Sequence, residues 1–187
     1  EALGVATLAG LCGPDHAPKL RALQQLLTEC GLGLAGADSG ADAAEGADGG
    51  VDGGVQGPAG RHRVLVFAQG SGTLDMIASD LLDAHMPHVS YAKLDGSVPA
   101  ARRAELAATF NSDPSLDLLL ATTPVGGLGL SLTGADVVVM FDHDWNPARD
   151  AQAMDRAHRL GQRRCVHVYR LVVEGTYEER VLGLQRF

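Results

Sequence analysis

The stretch LDLLLATTPVGGLGLSLTGADVVVMF, residues 116–141, contains two uninterrupted apolar runs on either side of a glycine-rich loop. Neither run alternates apolar with polar residues, as a strand with one solvent-exposed face does. Continuous apolar runs of this length are typical of strands in a parallel sheet that helices cover on both faces. The stretch therefore predicts two central strands of a layered α/β domain.

Outward from that stretch, short apolar runs alternate with helical patterns. The sequence predicts strands at 63–68, 89–94, 116–122, 136–141 and 166–172, and helices at 18–30, 72–85, 99–110, 147–160 and 176–187. Asn146 and Pro147 fit the N-cap and first position of one helix, and Thr176 with Glu179 fits a capping box at another. We therefore expect a three-layer α/β fold with a mostly parallel sheet, whose functional edge lies at the carboxyl ends of the strands.

The composition divides the 187-residue chain into three parts. Residues 31–60 hold eleven of the 24 glycines and five acidic residues but no lysine or arginine. Such a segment cannot bury enough apolar area to offset its ordering entropy, which predicts a disordered acidic insert. It separates an N-terminal segment, 1–30, whose helix is expected to pack on the domain, from the main domain, 61–187.

The charge and cysteine content limit the possible partners and cellular compartments of the protein. The net charge is −8, but outside the insert 15 basic residues face 18 acidic ones, so a nucleic-acid partner is not excluded. Cys12, Cys30 and Cys165 lie far apart, which is typical of a reducing compartment. No apolar run approaches the roughly 20 residues of a membrane span. Because the sequence lacks an initial Met and ends within a helical pattern, we expect a fragment of a longer protein.

Two elements of a complete ATP-hydrolysing domain are missing from the sequence. Such a domain normally carries G-x-x-x-x-G-K-[ST], whose lysine reaches the terminal phosphates from a glycine loop. The two lysines, Lys19 and Lys93, follow Pro18 and Ala92, and the chain has no Asp-Glu dipeptide to hold Mg²⁺. We therefore expect that this chain alone does not hydrolyse ATP.

The predicted helix 147–160 would carry a polar stripe opposite Met154 and Ala157. At 3.6 residues per turn, the stripe consists of Arg149, Gln152, Arg156 and Arg159. Spacing alone favours a solvated face in which Asp155 and Arg159 form an ion pair worth a few tenths of a kcal/mol. The sequence upstream of this helix, Asp142 to Asp144, offers two carboxylates and a histidine but no further ligand cluster, so no metal site is predicted.

Four segments resemble motifs IV to VI of the SWI/SNF-type helicase-like ATPases. In order along 61–187, they are VLVFAQ, LDGS, LLATTPVGGLGLSLTGADVVVMFDHDWNP and QAMDRAHRLGQ. The combination of DWNP with QAMDRAHR and GQ is highly specific to that family. The resemblance implies a C-terminal RecA-like lobe of a nuclear, DNA-dependent ATPase that acts on double-stranded DNA.

The resemblance also implies partners. ATP with Mg²⁺ would be held mainly by an N-terminal RecA-like lobe elsewhere in the same full-length chain. The segments HAPKLRALQQLLTECGLG and NSDPSLDLLLATTPVGGLGLSLTGAD are most similar to the branch of the family that removes TATA-binding protein from DNA. TATA-binding protein is therefore an implied partner.

Site residues follow from the same motifs. Arg156 and Arg159 match the finger arginines, which neutralise charge in the transition state, and Gln152 heads that motif. The family's glycine-rich phosphate loop is matched by Gly126, Gly127 and Gly129. Contacts with the DNA backbone are implied for Gln69, Lys93, Asp95, Gly96, Ser97, Thr122, Thr123 and Trp145.

Three positions depart from the family pattern. Pro124 stands where many relatives have arginine, Ser131 where they have asparagine, and Lys93 where arginine is usual. The first removes a cation from the DNA side, and the third loses the bidentate geometry of a guanidinium. Two other functions remain open: a non-catalytic interaction module that retains the fold, and an RNA helicase lobe. Trp145 can also be interpreted as a core aromatic.

Overall fold

Five short strands form one sheet in the computed structural model, which describes residues 17–32, 61–126 and 129–184. The strands are β1 Val64–Ala68, β2 Tyr91–Leu94, β3 Leu118–Thr122, β4 Val137–Met140 and β5 His167–Arg170. Their order in the sheet is β2-β3-β1-β4-β5, and every neighbouring pair is parallel. The three central strands are buried at every position, as their unbroken apolar runs predict. The predicted parallel α/β fold is confirmed.

Helices cover both faces of the sheet. They are α1 Pro18–Glu29, α2 Ser71–Met76, α3 Ala100–Ser112, α4 Thr123–Gly126, α5 Pro147–Met154 and α6 Tyr177–Leu184, and α2 continues as a π-helix over Ile77–Asp83. Successive residues of β1 face opposite sides, so Val64 and Val66 pack with α1 and α2, whereas Leu65 and Phe67 pack with α3 and α5. The result is three layers with two apolar cores. Within the described ranges, no helix has the length and apolar character needed to cross a bilayer.

Helix α1 contributes to one of these cores although the predicted insert follows it in sequence. Its four leucines at helical spacing are buried, and so is Leu32, just beyond the glycine at position 31 that ends the helix with φ +81°. The His62 amide donates to the Cys30 carbonyl oxygen at 3.2 Å, and the His88 ring lies 3.0 Å from the Leu32 carbonyl oxygen. The rest of the predicted insert, 33–60, lies outside the described residues, as do residues 1–16.

Both predicted helix caps are present, one of them with altered partners. The side-chain oxygen of Asn146 accepts from an amide in the first turn of α5 at 3.0 Å. At α6, the Glu178 amide donates to the Thr176 hydroxyl oxygen at 3.3 Å, and the Glu179 carboxylate accepts from the Gly175 amide at 3.1 Å. Each cap therefore satisfies amides that the helix itself leaves unpaired.

The helix predicted over 147–160 is wrong at its carboxyl end. Helix α5 ends at Met154, and residues 155–161 form turns that end near Gly161, with φ +106°. The Leu132 amide donates to the Arg156 carbonyl oxygen at 2.9 Å, which draws the chain away from the helix axis. The predicted four-residue stripe is therefore not a helical face, and the helical Asp155–Arg159 pair does not form.

Gly134 lies where two segments approach closely, and this gives a stability test. A Cβ atom at this position would lie 2.9 Å from backbone atoms of Phe110 and Asn111 and 2.9 Å from the Arg63 guanidinium. We expect Gly134→Ala to lower the free energy of unfolding by about 1–3 kcal/mol, because backbone must shift to admit the methyl group. Thermal melting of the purified chain measures this as a decrease of several degrees in Tm.

The matched control is Gly183→Ala in α6, where a Cβ would meet no atom within 4 Å. Alanine is the better helix former, so this variant should melt at or slightly above the wild-type temperature. Equal melting temperatures for Gly134→Ala and the wild type would contradict the close packing at Gly134.

Candidate functional site

Because the strands are parallel, their carboxyl ends meet at one edge of the sheet, where the predicted site residues lie. Gln69 follows β1, the Asp95–Ser97 turn follows β2, Thr122 ends β3, and the loop that carries Trp145 follows β4. Loops at this edge are the usual ligand-binding region of open parallel sheets. The topology therefore brings together residues that are far apart in the sequence.

A glycine loop, residues 126–132, follows α4, and its described residues, 126 and 129–132, lie at this edge. Gly129 has φ +85°, so the backbone adopts a left-handed conformation there. A Cβ atom built on Gly129 would have no atom within 4 Å. Gly126 is the last residue of α4, and Gly127 lies outside the described residues. There is therefore free space beside the backbone at Gly129, and backbone N–H groups of such glycine-containing turns can bind anions.

The arginine turn, residues 155–161, is joined to the glycine loop at two points. Arg159 Nη1 donates to the Gly129 carbonyl oxygen at 3.1 Å, in addition to the backbone hydrogen bond between Leu132 and Arg156. The Arg159 side chain is exposed, and Arg156 is half-buried. The Arg159 guanidinium is thus held at the glycine loop, and the backbone of Arg156 is bonded to the same loop; guanidinium groups suit phosphate oxygens.

Gln162 fixes the conformation of the arginine turn. Its amide nitrogen donates to three carbonyl oxygens, those of Ala135 at 2.7 Å and of Thr133 and Ala157 at 3.2 Å. Its side-chain oxygen accepts from the next two backbone amides at 2.9 Å. The sequence prediction gave Gln162 no role, although it is the last residue of the quoted QAMDRAHRLGQ motif. Gln152, which heads that motif, is exposed on α5.

The turn after β2 is stabilised internally. Asp95 is buried and accepts from the Ser97 amide at 2.9 Å and from the Ser97 hydroxyl at 2.5 Å. The hydroxyl bond outweighs burial and lowers the pKa of Asp95. Lys93 pairs with Asp75 and lies 3.5 Å from Asp95, and the hydrogen bond to Asp75 raises the pKa of Lys93. Gly96 and Ser97 remain exposed, but the charge of Lys93 is compensated within the chain.

Two of the predicted DNA-contacting hydroxyls lie inside the domain. Thr122 and Thr123 are buried, and the Thr123 hydroxyl donates to the Ala68 carbonyl oxygen at 3.3 Å. The backbone amide of Gln69 donates to the Asp142 carboxylate at 3.3 Å. The side-chain nitrogen of Gln69 is buried without a hydrogen-bond partner among the described residues. In this conformation, these threonines support the strand ends and do not present their hydroxyls to solvent.

Trp145 is 72% exposed, so its interpretation as a core aromatic is wrong. Its ring stacks on that of Tyr177, which is also exposed, with the centroids 6.2 Å apart and the planes 19° from parallel. This separation lies within the usual range for stacked aromatic pairs. The two rings form an exposed apolar surface at the same edge as Gln69.

Lys19, in the N-terminal helix, anchors the loop that precedes Trp145. Its ammonium donates to the Phe141 carbonyl oxygen at 2.7 Å, lies 3.6 Å from the Asp142 carboxylate and pairs with Glu178. The sequence analysis considered Lys19 only as a candidate phosphate-binding lysine. It missed these contacts because long-range contacts from α1 leave no local signal in the sequence. Lys19 therefore links α1, the end of β4 and α6.

The carboxylates of the Asp142–Asp144 loop stabilise this loop through contacts within the chain. Asp144 accepts from the Asn146 amide at 2.9 Å and from Arg149 at 3.2 Å, while the His143 ring lies 3.2 Å from the Leu171 carbonyl oxygen. Across the described ranges, no group of three histidine, cysteine, aspartate or glutamate side chains is placed to hold a metal ion.

A family model described as "Helicase conserved C-terminal domain" matches residues 58–161. TATA-binding protein-associated factor 172 from Homo sapiens is 53% identical over 173 residues, 92% of this chain. TATA-binding protein-associated factor mot1 from Schizosaccharomyces pombe is 53% identical over 179 residues, 96% of this chain. The chain spans 9% of the length of each of these relatives.

A solved structure gives the same result for the fold. The crystal structure of the C-terminal part of the Fun30 ATPase domain superimposes with a TM-score of 0.62 and 32% identity, covering 66% of this chain and 39% of that chain. The RecA-like fold implied by the sequence resemblance is therefore confirmed.

Proposed function

Because the chain belongs to the helicase conserved C-terminal domain family, we propose that it is the second lobe of an ATP-dependent translocase on double-stranded DNA. The first RecA-like lobe of the same full-length protein would hold most of the ATP and its Mg²⁺. Bound there, ATP would supply the phosphoryl group, and Mg²⁺ would supply the divalent positive charge that neutralises the phosphates. This chain would complete the site.

The observation that carries the proposal is the junction between the arginine turn and the glycine loop. Arg159 bonds the Gly129 carbonyl oxygen, and the Arg156 carbonyl oxygen accepts from Leu132, so the two segments form one surface. A guanidinium held beside the site, as that of Arg159 is, can stabilise negative charge that develops on phosphate oxygens. Gln152, Gly126, Gly127 and Gly129 are proposed to contact ATP, and Arg156 and Arg159 to act as arginine fingers.

The DNA-binding part of the proposal rests on the same sheet edge. Gly96 and Ser97 are exposed at the turn after β2, and Trp145 is exposed after β4. Backbone amides, a hydroxyl and an aromatic ring can bind the DNA backbone without reading bases. Lys93 would exchange Asp75 for a phosphate oxygen when DNA binds. Gln69 directly follows β1, whose carboxyl end lies at the same edge of the sheet. Asp95, Thr122 and Thr123 are proposed to position these groups.

The protein that this lobe acts on is inferred from the relatives. Two relatives are named as factors associated with TATA-binding protein, and each is more than half identical over at least 92% of this chain. We therefore propose that the full-length protein displaces TATA-binding protein from DNA in the nucleus, as part of transcription regulation.

The test uses the full-length protein with TATA-binding protein bound to a labelled duplex that contains a TATA element. We expect release of TATA-binding protein when ATP and Mg²⁺ are added, and no release with the slowly hydrolysed analogue ATPγS. Gel-shift or anisotropy measurements follow the release. Equal release with ATP, with ATPγS and without nucleotide would support the alternative, a non-catalytic interaction module that retains the fold.

A further inference from the structure

The exposed rings of Trp145 and Tyr177 are stacked, with their centroids 6.2 Å apart and their planes 19° from parallel. We propose that Tyr177 is a positioning residue for Trp145: its ring holds the indole in the orientation in which the sugars of the DNA backbone pack against it. The inference rests on the proposed function, because it takes Trp145 as a DNA contact. It gives a role to a residue that lies beyond the last of the quoted motifs, QAMDRAHRLGQ.

Tyr177 reaches Trp145 because the strands that precede them are neighbours. Trp145 lies in the loop after β4, and Tyr177 is the first residue of α6, which follows β5. The two strands pair in parallel, and paired strands lie about 4.8 Å apart, so the segments that follow them leave the sheet side by side. The rings therefore meet at the edge that also carries the exposed Gly96 and Ser97.

The main chain beside each ring is anchored independently of the stack. Next to the indole, the Asn146 amide donates to the Asp144 carboxylate at 2.9 Å. Next to the phenol ring, Glu178 pairs with Lys19, which ties the first turn of α6 to α1. The Tyr177 ring is thus presented from a fixed helix start to a fixed loop, and the stack sets the orientation of the indole.

The indole depends on this contact because little else surrounds it. Trp145 is 72% exposed, whereas a buried tryptophan is held by close packing on all sides. An exposed side chain changes rotamer within nanoseconds, and it loses that freedom when a ligand fixes it. A ring that already stacks on Tyr177 has lost part of this freedom before DNA binds, so the stack should increase DNA affinity.

Shape and charge favour the DNA backbone as the molecule that covers the pair. In an intact duplex the bases stack on one another, so a ring on the protein surface meets the sugars between the phosphates. The carboxylates that adjoin the rings are both paired, Asp144 with Arg149 at 3.2 Å and Glu178 with Lys19, which reduces their repulsion of phosphates. Arg149 is itself exposed and adds a cation four residues after Trp145.

A double-mutant cycle on DNA binding by the full-length protein tests the inference. Tyr177→Ala should weaken binding to a labelled duplex about three- to tenfold, the range for a lost aromatic stack. Tyr177→Phe is the matched control, because it retains the ring, and it should bind as the wild type does. In a Trp145→Ala background, Tyr177→Ala should change Kd by less than about twofold, because Tyr177 acts through the indole. Fluorescence anisotropy of the duplex measures each Kd.

Turnover should divide in the same way. For Tyr177→Ala, the DNA concentration that gives half-maximal ATP hydrolysis should rise about three- to tenfold, while kcat at saturating DNA stays within about twofold of the wild type. A general loss of folding would lower kcat as well. Tyr177 is 64% exposed, so the variant should melt within a few degrees of the wild type.

Tryptophan fluorescence tests the positioning step without DNA. Trp145 is the single tryptophan of the 187-residue chain, so the emission of the purified chain reports on this ring alone. In Tyr177→Ala, the emission anisotropy should fall and quenching by acrylamide should increase, because the indole moves more on the nanosecond timescale. Tyr177→Phe should match the wild type in both measurements.

The outcomes separate this inference from the proposed function. If the wild-type full-length protein neither binds duplex DNA nor hydrolyses ATP, the proposed function fails, and the role of Tyr177 fails with it. If Trp145→Ala weakens DNA binding but Tyr177→Ala does not, only the positioning role is overturned. The same holds if Tyr177→Ala costs as much affinity without the indole as with it, or leaves the anisotropy of Trp145 unchanged.

Discussion

In the full-length protein, Arg156→Ala or Arg159→Ala should lower kcat for DNA-stimulated ATP hydrolysis by about 10³- to 10⁵-fold, the range for finger arginines. A finger arginine acts mainly on charge that develops in the transition state, so ATP affinity should change much less than kcat. DNA affinity should stay within a few fold, because other loops are proposed to bind DNA. Steady-state kinetics with DNA titration measures all three quantities.

Arg163→Ala provides the matched control for these substitutions. Arg163 is exposed and lies two residues beyond the arginine turn, and its backbone amide, which the substitution leaves intact, bonds Gln162. We expect less than about a twofold change in kcat, as for most exposed charges. Arg159→Lys should recover only part of the activity, because an ammonium cannot reproduce the planar fork of a guanidinium. Equal kcat values for the wild type and both alanine variants would show that these arginines form a solvated surface and do not act as arginine fingers.

The purified chain by itself should show no ATP hydrolysis above background, with or without duplex DNA. Its sequence has no G-x-x-x-x-G-K-[ST] loop and no Asp-Glu dipeptide, so it lacks a lysine for the terminal phosphates and carboxylates for Mg²⁺. Phosphate release at high protein concentration is the measurement. Turnover by the wild-type chain that Arg156→Ala abolishes would show that the chain carries a complete site.

The sheet and the helix starts could be predicted because their causes are local in sequence. Unbroken apolar runs mark strands buried on two faces, and Asn146 followed by Pro147 marks the start of α5. The end of α5 could not be predicted in the same way. Ala157 is buried although it lies beyond the helix, so the apolar spacing continues past Met154. The turn itself depends on hydrogen bonds to residues about 25 positions earlier, such as Leu132.

The candidate site was predictable in location but only partly in exposure. Parallel strands bring their carboxyl ends together, so residues after each strand had to meet at one edge. Whether a side chain there faces solvent depends on tertiary packing, which placed Thr123 inside and Trp145 outside. Lys19 acts on that edge across more than 120 residues of sequence, a contact that no local pattern indicates.

The hydrogen bond from the His62 amide to the Cys30 carbonyl oxygen brings the two ends of the intervening segment together. A chain that leaves and returns at the same place can change in length at little cost, since each doubling of such a loop adds only about 0.6 kcal/mol of closure entropy. We therefore expect changes in the length of this segment to alter the free energy of unfolding of the domain only slightly. Selection on the length of the segment would have to act through something other than the stability of the domain that carries it.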